Sequence, residues 1–142
     1  MKTLIIIGIS VLTYISSRSN PNTHNLTNQN QEVSKLQESI KRGTIVYEDM
    51  CINCHLPNGL GVDKVYPPLA NSDYLKEKQT KSIKAIKYGL SEEIIVNGIS
   101  YNGTMTPLGL SDQEVADVMN YINNSWGNSI ENFVTVKKVS EL

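Results

Sequence analysis

Apolar side chains recur at helical spacing in three stretches of this chain and alternate in a fourth. The segments between them carry turn residues. Between residues 32 and 50, Val33, Leu36, Ile40, Tyr47 and Met50 fall near a 3.6-residue period, which predicts a helix. Gly43 lies inside it and costs about 1 kcal/mol relative to alanine, so a glycine there implies that another backbone comes close. Asn71-Ser72-Asp73 is expected to start a short helix over Tyr74 and Leu75. A longer one is expected over residues 80–88, capped by Thr80, with Ile83 and Ile86 inward and Gly89 as the stop. Ile94-Ile95-Val96 and Ile99-Ser100-Tyr101 flank Asn97-Gly98, the signature of a hairpin with a type I′ turn. Ser111, with Glu114 three residues later, forms a capping box ahead of a last helix. The inward face of that helix is Val115, Val118, Met119 and Ile122, with Tyr121 one turn after Val118. The pattern predicts an all-α domain of about four to five short helices, with a small β-hairpin near 94–101.

The ends of the chain read differently. Residues 4–15 (LIIIGISVLTYI) are twelve apolar or near-apolar positions preceded by Lys2 and followed by Ser16, Ser17 and Ser19. That is the layout of a secretory signal peptide over 1–19. A membrane span takes roughly 20 apolar residues, so a short retained anchor is the lesser reading. Residues 20–34 form an Asn/Gln-rich linker with too little apolar surface to fold, and His24 stands alone within it. The domain itself is expected over 35–127. The extension 128–142 is expected to be extended or loosely packed around Phe133, Val134 and Val136.

A length of 142 residues supports one domain. Losing the leader removes Lys2 and Arg18 from 13 basic side chains and none of the 14 acidic ones, leaving a net charge near −3. That gives no support to nucleic-acid binding.

Chemistry enters at Cys51-Ile52-Asn53-Cys54-His55, which holds both cysteines of the chain. Cys-x-x-Cys-His is the attachment sequence of a c-type haem. Two thiols three residues apart lie on one side of a helical turn, where both reach the vinyl groups of one porphyrin. His55, next in sequence, is then aimed at the iron. Export fits, because such haems are attached outside the bacterial cytoplasm. A thioredoxin-like dithiol needs a preceding strand, whereas a helix is expected here. A structural zinc site needs four ligands, and beyond the motif only His24 remains.

A sixth iron ligand must come from a distant residue or be left open. Met50 precedes a haem-bound cysteine on the side of His55, and Met119 belongs to the inward stripe of the last helix. Met105 stands in the loop Gly103-Thr104-Met105-Thr106-Pro107, which can be held across the haem face. His55 and Met105 are therefore the candidate axial ligands, a pairing that raises the reduction potential relative to bis-histidine ligation. In the turn-rich segment after His55, a backbone carbonyl at Pro67 or Pro68 is the candidate acceptor for the free ring nitrogen of His55. Tyr101 and Asn102 stand where they can bond either the methionine sulfur or a haem propionate.

With these residues in view, the chain resembles the class I cytochromes c over about 38–136. Gly43 and Tyr47, with Val118 and Tyr121, resemble the family's crossing of first and last helices, which would explain the glycine. Pro67-Pro68-Leu69, Tyr101-Asn102-Gly103-Thr104-Met105 and Ser125-Trp126-Gly127-Asn128 are similar to a narrower group. These are the small cytochrome domains that serve periplasmic dehydrogenases or copper nitrite reductases. Thr106 departs from that group, which often has proline there. The resemblance implies the cytochrome c fold around one covalently bound haem c. It also implies a periplasmic electron carrier with separate redox protein partners, not itself an enzyme.

Two other functions remain in play. One is the cytochrome subunit of a larger dehydrogenase or nitrite reductase. The other is a haem sensor or small peroxidase, which requires an open sixth position. Lys76, Lys78, Lys81, Lys84 and Lys87 crowd into twelve residues and form either a docking patch for an acidic partner or a solvated helix face. Pro57, Leu60, Val62, Pro107 and Leu108 are candidates for an apolar ring around the haem edge.

Overall fold

The computed structural model describes residues 21–131 and 133–142, with side chains from residue 31 onward. The leader and the side chain of His24 lie outside the described residues. The first helix, α1 (Pro21–Met50), begins well before its apolar pattern does. The linker over 20–34, expected not to fold, is helical from Pro21. A proline is harmless in the first helical turn, where its missing N–H has no partner to lose. Each residue added to an existing helix then gains one backbone bond. Positions 32–35 are exposed, and burial starts at Leu36 and Ser39.

Helix α1 runs into α2 (Ile52–His55), a single turn carrying the cysteine motif. After a loop come α3 (Asp73–Glu77), α4 (Gln79–Tyr88), strands β1 (Ile94–Val96) and β2 (Ile99–Tyr101), and α5 (Asp112–Asn123). Ser72 caps α3 by accepting from the Leu75 amide, and Ser111 with Glu114 closes the expected capping box on α5. Thr80 does not cap α4. That helix follows directly on α3 through Lys78, which ends one and begins the other, so Thr80 falls inside the first turn. The hairpin pairs Ile94 with Tyr101 and Val96 with Ile99. Asn97 at φ 51° and Gly98 at φ 79° make the type I′ turn that its sequence demands.

The core forms where α1 and α5 cross. A Cβ on Gly43 would lie 2.0 Å from the Asp117 carbonyl oxygen and 2.9 Å from Tyr121 Cβ, so only glycine permits the approach. Val115, Val118, Met119 and Ile122 are buried against Tyr47, Ile83 and Ile86. A polar belt runs alongside. Arg42 Nε and Nη2 donate to the Asp117 carboxylate at 2.7 and 2.8 Å, Ser39 Oγ donates to it at 2.6 Å, and Asn120 Nδ2 donates to Ser39 Oγ at 2.9 Å.

The C-terminal segment is not loosely packed. It forms a further helix, α6 (Val136–Ser140), capped by Thr135. Val134 and Val139 are buried in the main core, while Phe133 is half-buried and Val136 exposed. Asn120 fixes the segment by accepting from the Val134 amide at 2.8 Å and donating to its carbonyl at 2.9 Å. The polar partner for that backbone comes from inside α5, which local apolar spacing does not reveal. The helix-rich fold class stands. Among the described residues the helices number six, α6 being the addition and α1 longer than expected. None of them is long and apolar enough to cross a membrane.

Candidate functional site

Two linked clefts open between the cysteine motif, the loop after it, the hairpin and the loop before α5. One is lined by Cys54, His55, Tyr66, Tyr101 and Thr104 among others. The other is walled by Cys51, Pro68, Leu75, Ile86, Val96 and Ile122. His55, Pro67, Leu90, Ile94 and Met105 line both, so the two are lobes of one site. The walls are mostly apolar, as those of cofactor sites are.

Cys51 stays in helical continuity with α1, its amide donating to the Tyr47 carbonyl at 2.9 Å. Below it, the Tyr47 hydroxyl donates to the Leu56 carbonyl at 2.7 Å and holds the end of the motif. Leu56 (φ 64°) then reverses the chain, and the Gly61 amide returns to the His55 carbonyl at 3.0 Å. A Cβ on Gly61 would lie 2.2 Å from the Tyr66 carbonyl oxygen and 2.7 Å from that of Pro67, so the loop closes only around glycine. This closure brings the Pro67 carbonyl to 3.0 Å from His55 Nδ1. Of the two acceptors expected, Pro67 is the one used.

With Nδ1 as donor to a carbonyl, Nε2 keeps its lone pair, the form a metal takes. Burial holds His55 below its ordinary pKa, the Pro67 bond acting the other way, so the ring is neutral. Burial, with Cys54 beside it, pushes the Cys51 thiol up to about 11. A protonated, buried thiol at the end of a helix is the opposite of a reactive redox dithiol, whose leading thiol has a depressed pKa.

Met105 is held by its backbone. Its amide and carbonyl exchange hydrogen bonds with Leu90, both at 2.8 Å. Gly89 (φ 83°) makes room, because a Cβ there would lie 2.6 Å from the Met105 carbonyl oxygen and 2.9 Å from Pro107 Cδ. Sequence reasoning saw Gly89 only as a helix stop and missed this clamp. Met119 is fully buried in the core, Met50 is exposed, and neither lines the cleft. Pro68 and Tyr101 do line it, in different lobes. Asn102 is exposed and lines neither.

The tail motif braces the opposite side of the loop. Trp126 Nε1 donates to the Pro57 carbonyl at 3.0 Å, and a Cβ on Gly59 would lie 2.5 Å from its ring. Asn128 donates to the Leu69 carbonyl at 2.9 Å and accepts from the Asn71 amide at 2.8 Å. Tyr47, Tyr121 and Trp126 pack in tilted and edge-on contacts with ring centroids 4.9 to 5.4 Å apart.

The residues present therefore fit a haem: a thiol on each lobe, an imidazole with a free Nε2, a methionine clamped by its backbone, and apolar walls. The comparison with known proteins agrees. The family description "Cytochrome c" matches residues 40–126. The chain belongs to the cytochrome c family. Its cofactor is haem c, bound covalently, and the domain is an electron-carrying c-type cytochrome. Over 84 residues it is 37% identical to cytochrome c-552 of Thermus thermophilus, covering 56% of this chain and 64% of that protein. Over 103 residues it is 35% identical to the gluconate 2-dehydrogenase cytochrome c subunit of Pantoea cypripedii, covering 70% of this chain and 23% of that one. The cytochrome c subunit of a quinone alcohol dehydrogenase from Gluconobacter oxydans is 27% identical over 114 residues, covering 70% and 21%. The chain thus spans under two thirds of the first and about a fifth of the dehydrogenase subunits.

The lysine cluster is not uniform. Lys87 is half-buried, pairs with Asp112 at 2.9 Å and donates to the Val139 carbonyl at 2.9 Å. It ties α4 to the C-terminal segment and does not face a partner. Lys81 makes an exposed pair with Glu92 at 3.8 Å, and Lys76 and Lys84 are exposed.

Proposed function

We propose that this protein is an exported, periplasmic single-haem electron carrier, not itself an enzyme, that moves one electron at a time between redox proteins. In this reading Cys51 and Cys54 hold the haem through thioethers, and His55 and Met105 are its axial ligands. The haem supplies the one-electron chemistry when bound. The protein supplies fixed ligands and dryness. The observation that carries the reading is that both ligand candidates line one apolar cleft and each is pinned: His55 by the Pro67 carbonyl, Met105 by its two-way backbone pair with Leu90. Ligands that stay put in both oxidation states suit electron transfer, and a methionine fixed by its backbone beside the cleft argues against a sensor or peroxidase that needs an open iron.

Export rests on the leader pattern over 1–19, and a membrane is involved only if that segment is retained. The electron donor and acceptor are separate redox proteins. The second reading, a cytochrome subunit bound to a larger dehydrogenase, is favoured by two relatives that carry that description. Co-purification with a catalytic chain would separate it from a free carrier.

The test is an optical spectrum of the mature protein, made in a host with cytochrome c maturation, across the far-red methionine–iron charge-transfer band. The band is expected in the wild type and in Met119→Ala and absent in Met105→Ala. Covalent haem without the band would assign the iron a different or open ligation, and absence of covalent haem would sink the reading altogether.

A further inference from the structure

Residues 106–111 link Met105 to α5 and are lightly held. Thr106, Pro107 and Gly109 are exposed, and residues 106–110 make no backbone–backbone hydrogen bond among the described residues. Leu108 and Leu110 rest half-buried on the core. A segment with so few bonds opens at low free energy, yet its first end carries the candidate sixth ligand. Both ends are fixed by one short stretch of chain, the exit of α4. At the Met105 end, Leu90 exchanges two backbone bonds with the methionine. At the other end, Lys87 Nζ lies 2.9 Å from an Asp112 carboxylate oxygen.

The Lys87 ammonium is itself held in place. Besides its pair with Asp112 it donates to the Val139 carbonyl at 2.9 Å and lies 5.2 Å from the centroid of the Tyr88 ring. A lysine fixed in this way has already lost the rotamer freedom that an ordinary surface pair must give up. Asp112 stands in the first turn of α5, whose Val115 is fully buried, so the carboxylate is anchored to the core. By contrast, Lys81 on the same helix makes only an exposed pair with Glu92 at 3.8 Å.

We propose that Lys87 is a positioning residue for Met105: its tie to Asp112 closes the methionine loop at the end remote from Leu90 and keeps the thioether on the iron. The inference rests on Met105 being the sixth ligand and goes beyond that assignment. It gives a lysine of α4, and the C-terminal segment that holds its ammonium, the task of keeping the loop shut. Without the tie, the closed loop loses stability relative to an open one while the rest of the domain stays folded.

The test is cyanide binding to the oxidised, haem-loaded protein at neutral pH, because that anion reaches the iron only when Met105 has left it. Wild type, Lys87→Met and Lys84→Met are compared, with denaturant unfolding followed on the same samples. Lys87→Met keeps an apolar stem and removes the charge, and Lys84, exposed on the same helix, controls for charge alone. Ion pairs that water reaches are worth little, so the affinity for cyanide is expected to rise about fivefold in Lys87→Met. In Lys84→Met it should stay as in the wild type. An equal rise in both variants overturns the proposal in favour of net charge. A lower unfolding midpoint with unchanged cyanide affinity overturns it in favour of a staple for the C-terminal segment alone. Should Lys87→Met fail to load haem, Asp112→Asn decides the matter, since it removes the tie and leaves the Val139 bond. The same rise is expected there, and an unchanged affinity refutes the assignment. Failure of the ligand reading itself would appear earlier, as a wild type without the far-red methionine–iron band.

Discussion

The junction of α1, α5 and the C-terminal segment and the cleft on the other side of the core treat buried polarity in opposite ways. The junction buries Ser39, Asp117, Asn120 and Asn123, and each finds a partner within the chain. The cleft is walled by Leu75, Ile86, Leu90, Ile94 and Val96. The first region is closed by the polypeptide alone. The second is completed by a large apolar group with a few polar atoms at its edge. Substitutions in the two regions should therefore fail differently, the junction through stability and the cleft through the spectrum and potential of the iron.

The largest effect is expected at the junction. In Gly43→Val the new Cβ falls 2.0 Å from the Asp117 carbonyl oxygen, which is backbone and cannot rotate away. Overpacking of this kind costs about 3 kcal/mol. Denaturant unfolding of the haem-loaded variant, followed by far-UV circular dichroism, should show that loss, while the methionine–iron band of the folded fraction stays as in the wild type. A changed band with intact stability would break the division between the two regions.

A smaller loss with a different signature is expected from Gly89→Ala. Its φ of 83° with ψ 175° is a region that is nearly exclusive to glycine and costs a residue bearing a Cβ about 1–3 kcal/mol. The Cβ would also press on the Met105 carbonyl oxygen at 2.6 Å. The Leu90–Met105 pairing must shift, so the methionine–iron band should weaken and the potential should drop, since thioether ligation favours the ferrous iron. Loss of stability with an untouched band would show that the clamp does not govern the ligand.

Much of the cleft was legible because its chemistry is local in sequence. The motif at Cys51, Cys54 and His55 is one helical turn, the hairpin is written in Asn97-Gly98, and the α5 cap in Ser111 and Glu114. Gly43 announced a close crossing because a helical glycine has few other uses. What escaped was non-local or hidden by polarity. Residues 21–31 carry no apolar period, yet the helix extends through them because elongation needs no burial. The last ten residues read as loose because their anchors are two valines, with Asn120 and Lys87 supplying the polar ends from 14 and 52 residues away. Five lysines read as either a docking patch or a solvated helix face, and neither reading separates Lys87, which ties α4 to the C-terminal segment. The Leu90 clamp on Met105 depends on contacts that no spacing rule encodes.

The mildest probe turns on pH. Burial of the Asp117 carboxyl works to raise its pKa, but the hydrogen bonds from Arg42, Ser39 and Gln113 outweigh it and hold the group below its ordinary 3.8. A carboxylate depressed in the folded state stabilises it fully above the unfolded pKa. That contribution is lost as pH falls from about 3.8 through the lower folded value. Glu114, held low by the Ser111 side chain and backbone, adds a solvent-screened share of the same sign. Unfolding midpoints of the haem-loaded protein should therefore decline below pH 4, and Asp117→Asn should start lower at neutral pH and decline less steeply. Its reduction potential at neutral pH should match that of the wild type, because the group belongs to the junction and not to the cleft. A parallel decline in both proteins would mean that acid acts elsewhere, and a shifted potential would mean that the two regions are coupled through α5.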